Sequence, residues 1–129
     1  KLWNWDTSKT ARTLAQETMR TILPFVDVVI GNEEDCQDVL GITAGDTDVN
    51  SGKLNTARYP DVARQVVKQF PNVSKVAITL RESLSASHNN WGAMLYEAAL
   101  DEASFAPLDS EENYQSYEIK NIVGKFESK

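Results

Sequence analysis

The chain has 129 residues, 41% of them hydrophobic and 25% charged, with a net charge of −6. That suits one soluble domain with one modest core. No Lys/Arg cluster offers a face to nucleic acid, and no apolar run approaches the length of a membrane span. With an acidic bulk charge, any bound anion must be held by local devices: a helix N-terminus, a few Arg or Lys, or Mg²⁺. The single cysteine, Cys36, excludes an intrachain disulfide. No signal-peptide pattern follows Lys1–Asp6, so the expected setting is a reducing cytoplasm.

Trp3 and Trp5 open the chain and are expected to pack on something. Thr7 or Ser8 then caps a predicted helix over about 10–23. Ala11, Leu14, Ala15, Thr18, Met19, Ile22 and Leu23 recur at helical spacing, and Pro24 ends the run. Val28, Val29 and Ile30 are consecutive, β-branched and apolar, which predicts a strand buried on both faces. Gly31 is expected to break that strand. Asn32 is a good N-cap, and Glu33, Glu34 and Asp35 load the next turn with negative charge, where the helix dipole favours it. A helix to about Leu40 follows, with Gly41 as its left-handed stop. Cys36 lies beside Val39 and Leu40 and reads as a small buried hydrophobe.

A buried strand running into a capped helix is where open α/β sheets hold ligands. From the residues alone two readings stand: a well-capped structural helix, or a site for a cation or a cation-bound phosphate.

Residues 42–58 read as a long polar surface loop. Asp46 and Asp48 there do not make a calcium loop, because the rest of the EF-hand pattern is absent. Pro60 suits the first turn of another helix, whose face is Val62, Ala63, Val66, Val67 and Phe70. Val76–Leu80 is a second buried strand, parallel to the first across a right-handed crossover. Leu84–Ser87 and Trp91–Tyr96 read as a hairpin turning through His88-Asn89-Asn90. Phe105–Leu108 is a short extended piece, and Tyr117–Val123 a last strand. Trp91, Tyr96 and Phe105 are expected in the core or on a sheet face. The sum is an α/β, Rossmann-like partial sheet with parallel strands, flanking helices and a C-terminal antiparallel hairpin.

Four ordered segments carry a resemblance. Val-Ile-Gly-Asn-Glu-Glu-Asp (29–35), Val-Ala-Ile-Thr-Leu-Arg-Glu-Ser (76–83), Ser-Ala-Ser-His-Asn-Asn-Trp (85–91) and Tyr-Glu-Ile-Lys-Asn-Ile-Val (117–123) look like the ribokinase (pfkB-type) carbohydrate kinases. The likeness leans toward the 2-keto-3-deoxygluconate kinases. It implies a ribokinase-like fold and transfer of a phosphoryl group from ATP to a sugar or keto-deoxy sugar acid. It implies that Asn32 and Asp35 match the family's Asn-x-x-Glu motif and help hold Mg²⁺ and its waters. Asp in place of Glu keeps the charge and shortens the reach by one methylene. The family's nucleotide-contacting Thr-Leu-Gly falls on Thr79, Leu80 and Arg81, and Glu82 and Ser83 complete that segment. An Arg at a strand's carboxyl end suits a phosphate; the residues alone favour a surface Arg81 paired with Glu82.

His88 matches no catalytic position of the family. The family's Gly-x-Gly-Asp motif, which supplies the catalytic Asp and an anion hole, has no match in these residues. The expectation is therefore a central piece of such a domain over 1–123 with a charged tail over 124–129, inactive alone and self-associating through uncovered surfaces. Two other classes compete: a flavodoxin-like regulatory or nucleotide-binding domain, and an interaction fragment that binds nothing. The flavodoxin-like reading needs an acceptor Asp at one strand's carboxyl end and a Lys at another, whereas Asp27 precedes its strand and Arg81 ends the second.

Overall fold

The computed structural model describes residues 8–43 and 56–120. The readings made for Trp3 and Trp5, for Asp46 and Asp48, and for the 124–129 tail fall outside them. Helix α1 (Ala11–Ile22) starts at Thr10, whose hydroxyl accepts the Thr13 N–H, so the cap lies later than Thr7 or Ser8. A 3₁₀ turn (Leu23–Phe25) carries Pro24 and leads into strand β1 (Val28–Asn32). Helix α2 (Glu33–Leu40) follows without a gap and stops at Gly41, whose φ of 69° is left-handed. Helix α3 is Arg58–Gln69; strands β2 (Lys75–Ser85), β3 (His88–Glu97), β4 (Glu102–Ala106) and β5 (Tyr117–Lys120) complete the order.

Among the described residues one sheet carries all five strands, in the order β1-β2-β3-β4. The β1–β2 pair is parallel, as the crossover predicts, and the β2–β3 and β3–β4 pairs are antiparallel. β5 shares the β4 edge of β3, pairing with its first four residues while β4 pairs with its second half. This is the expected α/β, ribokinase-like architecture: an open mixed sheet flanked by helices.

The core lies between the helices and one sheet face. Val62, Ala63 and Val66 of α3 and Cys36 and Leu40 of α2 pack on Val76, Ile78, Leu80, Met94 and Tyr96. Cys36 is buried, and burial pushes its thiol up to about 11, which fits a packing residue.

The structure corrects four local readings. β1 is not buried on both faces: it is an edge strand, Val29 packs inward and Ile30 is 74% exposed. Its apolar run reflects β-propensity at a position that only one layer of described residues covers. β2 likewise alternates, with Val76, Ile78 and Leu80 inward and Thr79 and Arg81 outward. Gly31 does not break β1, because it pairs with Ile78 and the strand runs to Asn32. The hairpin turns at Ala86–Ser87, not at His88-Asn89-Asn90, and those three residues belong to β3. Polar residues at a strand's start imitated a turn: Asn89 is 5% exposed, and the His88 ring reaches Glu118 Oε1 at 2.7 Å.

Candidate functional site

Asn32 ends β1 and begins α2. Its side-chain oxygen accepts the Asp35 N–H at 2.7 Å, and Asp35 Oδ2 accepts the Asn32 N–H at 2.9 Å. This reciprocal capping box satisfies two backbone donors and is worth about 1 kcal/mol. The Asn-x-x-Asp pattern therefore has a complete structural role in the fold.

Asn32 is also the last residue of β1 in register with β2, and its partner is Thr79. β2 runs on past β1, so Arg81 stands two residues beyond that last pair. α2 begins here too, and α3 begins close by with Arg58 and Tyr59. These ends enclose an open cleft of about 340 Å³ lined by Asn32, Glu33, Glu34, Gln37, Tyr59, Thr79 and Arg81. The fold thus brings Asn32, Thr79 and Arg81 together from two distant segments. The helix N-terminus of α2 supplies a positive field at the same place.

Charges around the cleft are sorted. Glu33 is held by Arg58, and its other oxygen lies 3.4 Å from the Tyr59 hydroxyl. Burial pushes the Tyr59 hydroxyl above its usual range, against an opposing effect of Arg58, which lies 5.4 Å over the Tyr59 ring. Arg81 is not paired with Glu82. Successive strand residues point to opposite faces, so Glu82 turns away and accepts from Asn90 at 2.9 Å. Arg81 instead donates from Nε to Asn89 Oδ1 at 3.1 Å and lies 5.3 Å over the Trp91 ring.

Of the six residues expected in the site, Asn32, Thr79 and Arg81 line the cleft. Asp35 supports it from behind through the capping box and faces an apolar groove with Met19, Leu23 and Cys36. Glu82 and Ser83 do not line it. Glu33 and Glu34, read from the sequence as part of the acidic helix start, line the cleft too, whereas Gln37, Tyr59 and Asn89 were not singled out as site residues. Gln37 lies one helical turn after Glu33, and Tyr59 shares the spacing of Val62, Ala63 and Val66, so both were legible as same-face neighbours. Asn89 was hidden by its turn-like context.

Among the described residues no group of three or more His, Cys, Asp or Glu side chains is placed to cage a metal. An oxygen-rich rim with Asn32, Glu34 and Thr79 suits a hard cation that keeps most of its waters and rides on phosphate oxygens, which is how Mg²⁺ binds. The flavodoxin-like alternative finds no support: Asp27 precedes β1, at the end away from the cleft, and its carbonyl accepts from Ser74 and Lys75.

No protein-family model and no curated protein matches the chain. Solved structures do. A 2-dehydro-3-deoxygluconokinase from Thermotoga maritima is 33% identical, with a TM-score of 0.69, over 92% of this chain and 31% of that one. A PfkB family carbohydrate kinase from Listeria grayi is 21% identical, with a TM-score of 0.62, over 94% of this chain and 31% of that one. The chain therefore spans about a third of the length of the solved structures it matches.

Proposed function

Because this chain matches part of the pfkB/ribokinase-type carbohydrate kinases in fold and in sequence, we propose that its cleft is the nucleotide side of a sugar-kinase site. The observation that carries the reading is the convergence of Asn32, Thr79 and Arg81 on one cleft at the carboxyl end of the parallel β1–β2 ladder. In this reading the cleft binds the phosphates of ATP. Arg81 offers its guanidinium edge to a phosphate oxygen, and the Thr79 hydroxyl and the α2 N-terminus add donors. Asn32 and Glu34, which line the cleft, hold waters of a Mg²⁺ ion. Asp35, expected from the resemblance to share that task, faces the apolar groove and acts by fixing Asn32 through the cap. The metal, when bound, neutralises charge on the transferring phosphoryl group.

The acceptor in the whole protein is a sugar or sugar acid, and the resemblance favours 2-keto-3-deoxygluconate over a neutral ribose-type sugar. These residues alone are not expected to turn over. The family's Gly-x-Gly-Asp motif has no match in these residues, and a positioned base of that kind is worth roughly 10²–10⁴-fold. Asp101 is occupied by Arg64 and Tyr96, and Asp109 by the backbone of Glu111 and Asn113. Self-association through the open sheet face of Val28, Ile30, Leu95, Trp91 and Tyr117 is part of the same proposal.

Calorimetry with ATP, with and without Mg²⁺, tests the reading. Binding that needs Mg²⁺ is expected, because an acidic rim repels bare triphosphate. Equal affinity in both conditions, or no binding in either, would overturn it.

A further inference from the structure

We propose that Asn89 and Trp91 are positioning residues that hold Arg81 as an anion fork at the rim of the cleft, a role that rests on the nucleotide reading above. Arg81 and Trp91 are direct partners across the β2–β3 ladder, so their side chains leave the sheet on the same face. Asn89, two residues along β3, shares that face. The guanidinium carbon lies 5.3 Å from the centre of the indole ring, and Asn89 Oδ1 accepts its Nε–H. The bond to Asn89 is made by Nε and not by either Nη, and Arg81 lines the cleft together with Asn32 and Thr79.

Three observations set this contact apart from ordinary sheet packing. First, Asn89 is a polar side chain in the buried set, at 5% exposure. Burying an amide is costly unless it is bonded, and here its oxygen is committed to a cation at the cleft. Second, no carboxylate lies within ion-pair distance of Arg81 among the described residues; Arg12, Arg58 and Arg64 each have one, and of the two that have none, Arg20 is on α1 and Arg81 alone lines the cleft. In a protein of net charge −6 this leaves a cation whose charge is not cancelled. Third, the neighbouring carboxylate is actively held away. Asn90 is the direct cross-strand partner of Glu82 and bonds its Oε2 on the opposite face. The consecutive Asn89 and Asn90 thus separate the consecutive charges of Arg81 and Glu82. The ligand this arrangement fits is a phosphate oxygen approaching edge-on, as a planar bidentate donor requires.

The test is a double-mutant cycle on the whole chain, read by calorimetry with Mg²⁺–ATP, together with NMR of the Arg81 Nε–H. Asn89→Ala is expected to weaken binding about tenfold, the size of a hydrogen bond to a charged group, and to change it less than about twofold when Arg81→Ala is already present. Trp91→Leu should weaken it about threefold by the same route. Asn89→Thr, a good strand former too short to reach Nε, serves if Asn89→Ala fails to fold. In the unliganded wild type the Arg81 Nε–H should exchange with water more slowly than that of the exposed Arg20, and the Asn89 variants should remove the difference. Equal exchange for Arg81 and Arg20 would overturn the clamp, whatever binds. A slow Nε–H with equal losses in both Arg81 backgrounds would overturn the positioning role alone. A slow Nε–H with no Mg²⁺–ATP binding would overturn the nucleotide reading, and the role with it, leaving a contact of the fold only.

Discussion

Asn32 and Thr79 stand opposite each other as the last pair of the parallel β1–β2 ladder. One caps a helix, and the other is the last residue of β2 to be paired on both edges. Their meeting turns two unrelated-looking segments into one rim. It also gives Asn32 two separable jobs, which substitution can pull apart. Asn32→Ala removes the cap and should cost about 1 kcal/mol of stability. Asn32→Asp keeps an oxygen in the capping position and should stay within about 0.5 kcal/mol of wild type while adding a negative charge beside the phosphates. Urea unfolding measures the first effect and Mg²⁺–ATP calorimetry the second. If both variants lose stability equally, the capping role assigned to Asn32 is wrong.

Gly92 and Tyr114 give a prediction about packing. A Cβ on Gly92 would run into the Tyr114 hydroxyl, with ring atoms Cε2 and Cζ at 2.8 and 2.9 Å. Gly92→Ala should therefore cost about 1–3 kcal/mol, as overpacked sites do. The Tyr114 hydroxyl itself is buried and has no hydrogen-bond partner among the described residues. Tyr114→Phe should be neutral or slightly stabilising, because an unsatisfied hydroxyl is lost and the ring is kept. Thermal and urea unfolding of the two variants check this. A Gly92→Ala protein as stable as wild type would show that Tyr114 does not lie over the strand.

Asp101 controls part of the acid stability. Its Oδ1 accepts the Tyr96 hydroxyl at 2.7 Å and the Arg64 Nε–H at 2.9 Å, and the two bonds, with the Arg64 charge, lower its pKa below the ordinary 3.8. A carboxyl lowered in the folded state stabilises fully above its unfolded pKa, and that contribution is lost as pH falls through the folded one. Asp101→Asn should therefore flatten the pH dependence of stability below about pH 4 and lower stability at neutral pH. Asn also tolerates the left-handed backbone found there, with φ of 48°, so the substitution tests charge and bonding without straining the chain. An unchanged acid limb would contradict the assignment.

The legible parts of the molecule were those with local causes. Asn32, Gly41 and Pro60 mark helix ends through backbone chemistry within a few residues, and the apolar spacing of Val62, Ala63 and Val66 needs no partner to be read. The capping box at Asn32 and Asp35 was visible as a pattern, though its dual meaning was not. What stayed hidden depends on which layer covers what. Val28 and Ile30 look buried by composition, yet they face a side of the sheet that no other layer of described residues covers. His88, Asn89 and Asn90 look like a turn, yet β5 pairs them from the other edge of β3. Arg81 and Glu82 look like a neighbouring ion pair, and only strand alternation shows that they cannot meet.

The central claim is that phosphates of a nucleotide sit where β1 ends beside Thr79 and Arg81 of β2. An amide NMR titration of the whole chain with Mg²⁺–ATP tests it most directly, because it reports location and not only affinity. The account predicts the largest shifts at Asn32, Glu33, Glu34, Thr79 and Arg81, with little change along the Pro107–Leu108 and Gln115–Glu118 groove on the far edge of the sheet. Shifts that cluster on that far groove, or none at saturating nucleotide, would contradict it.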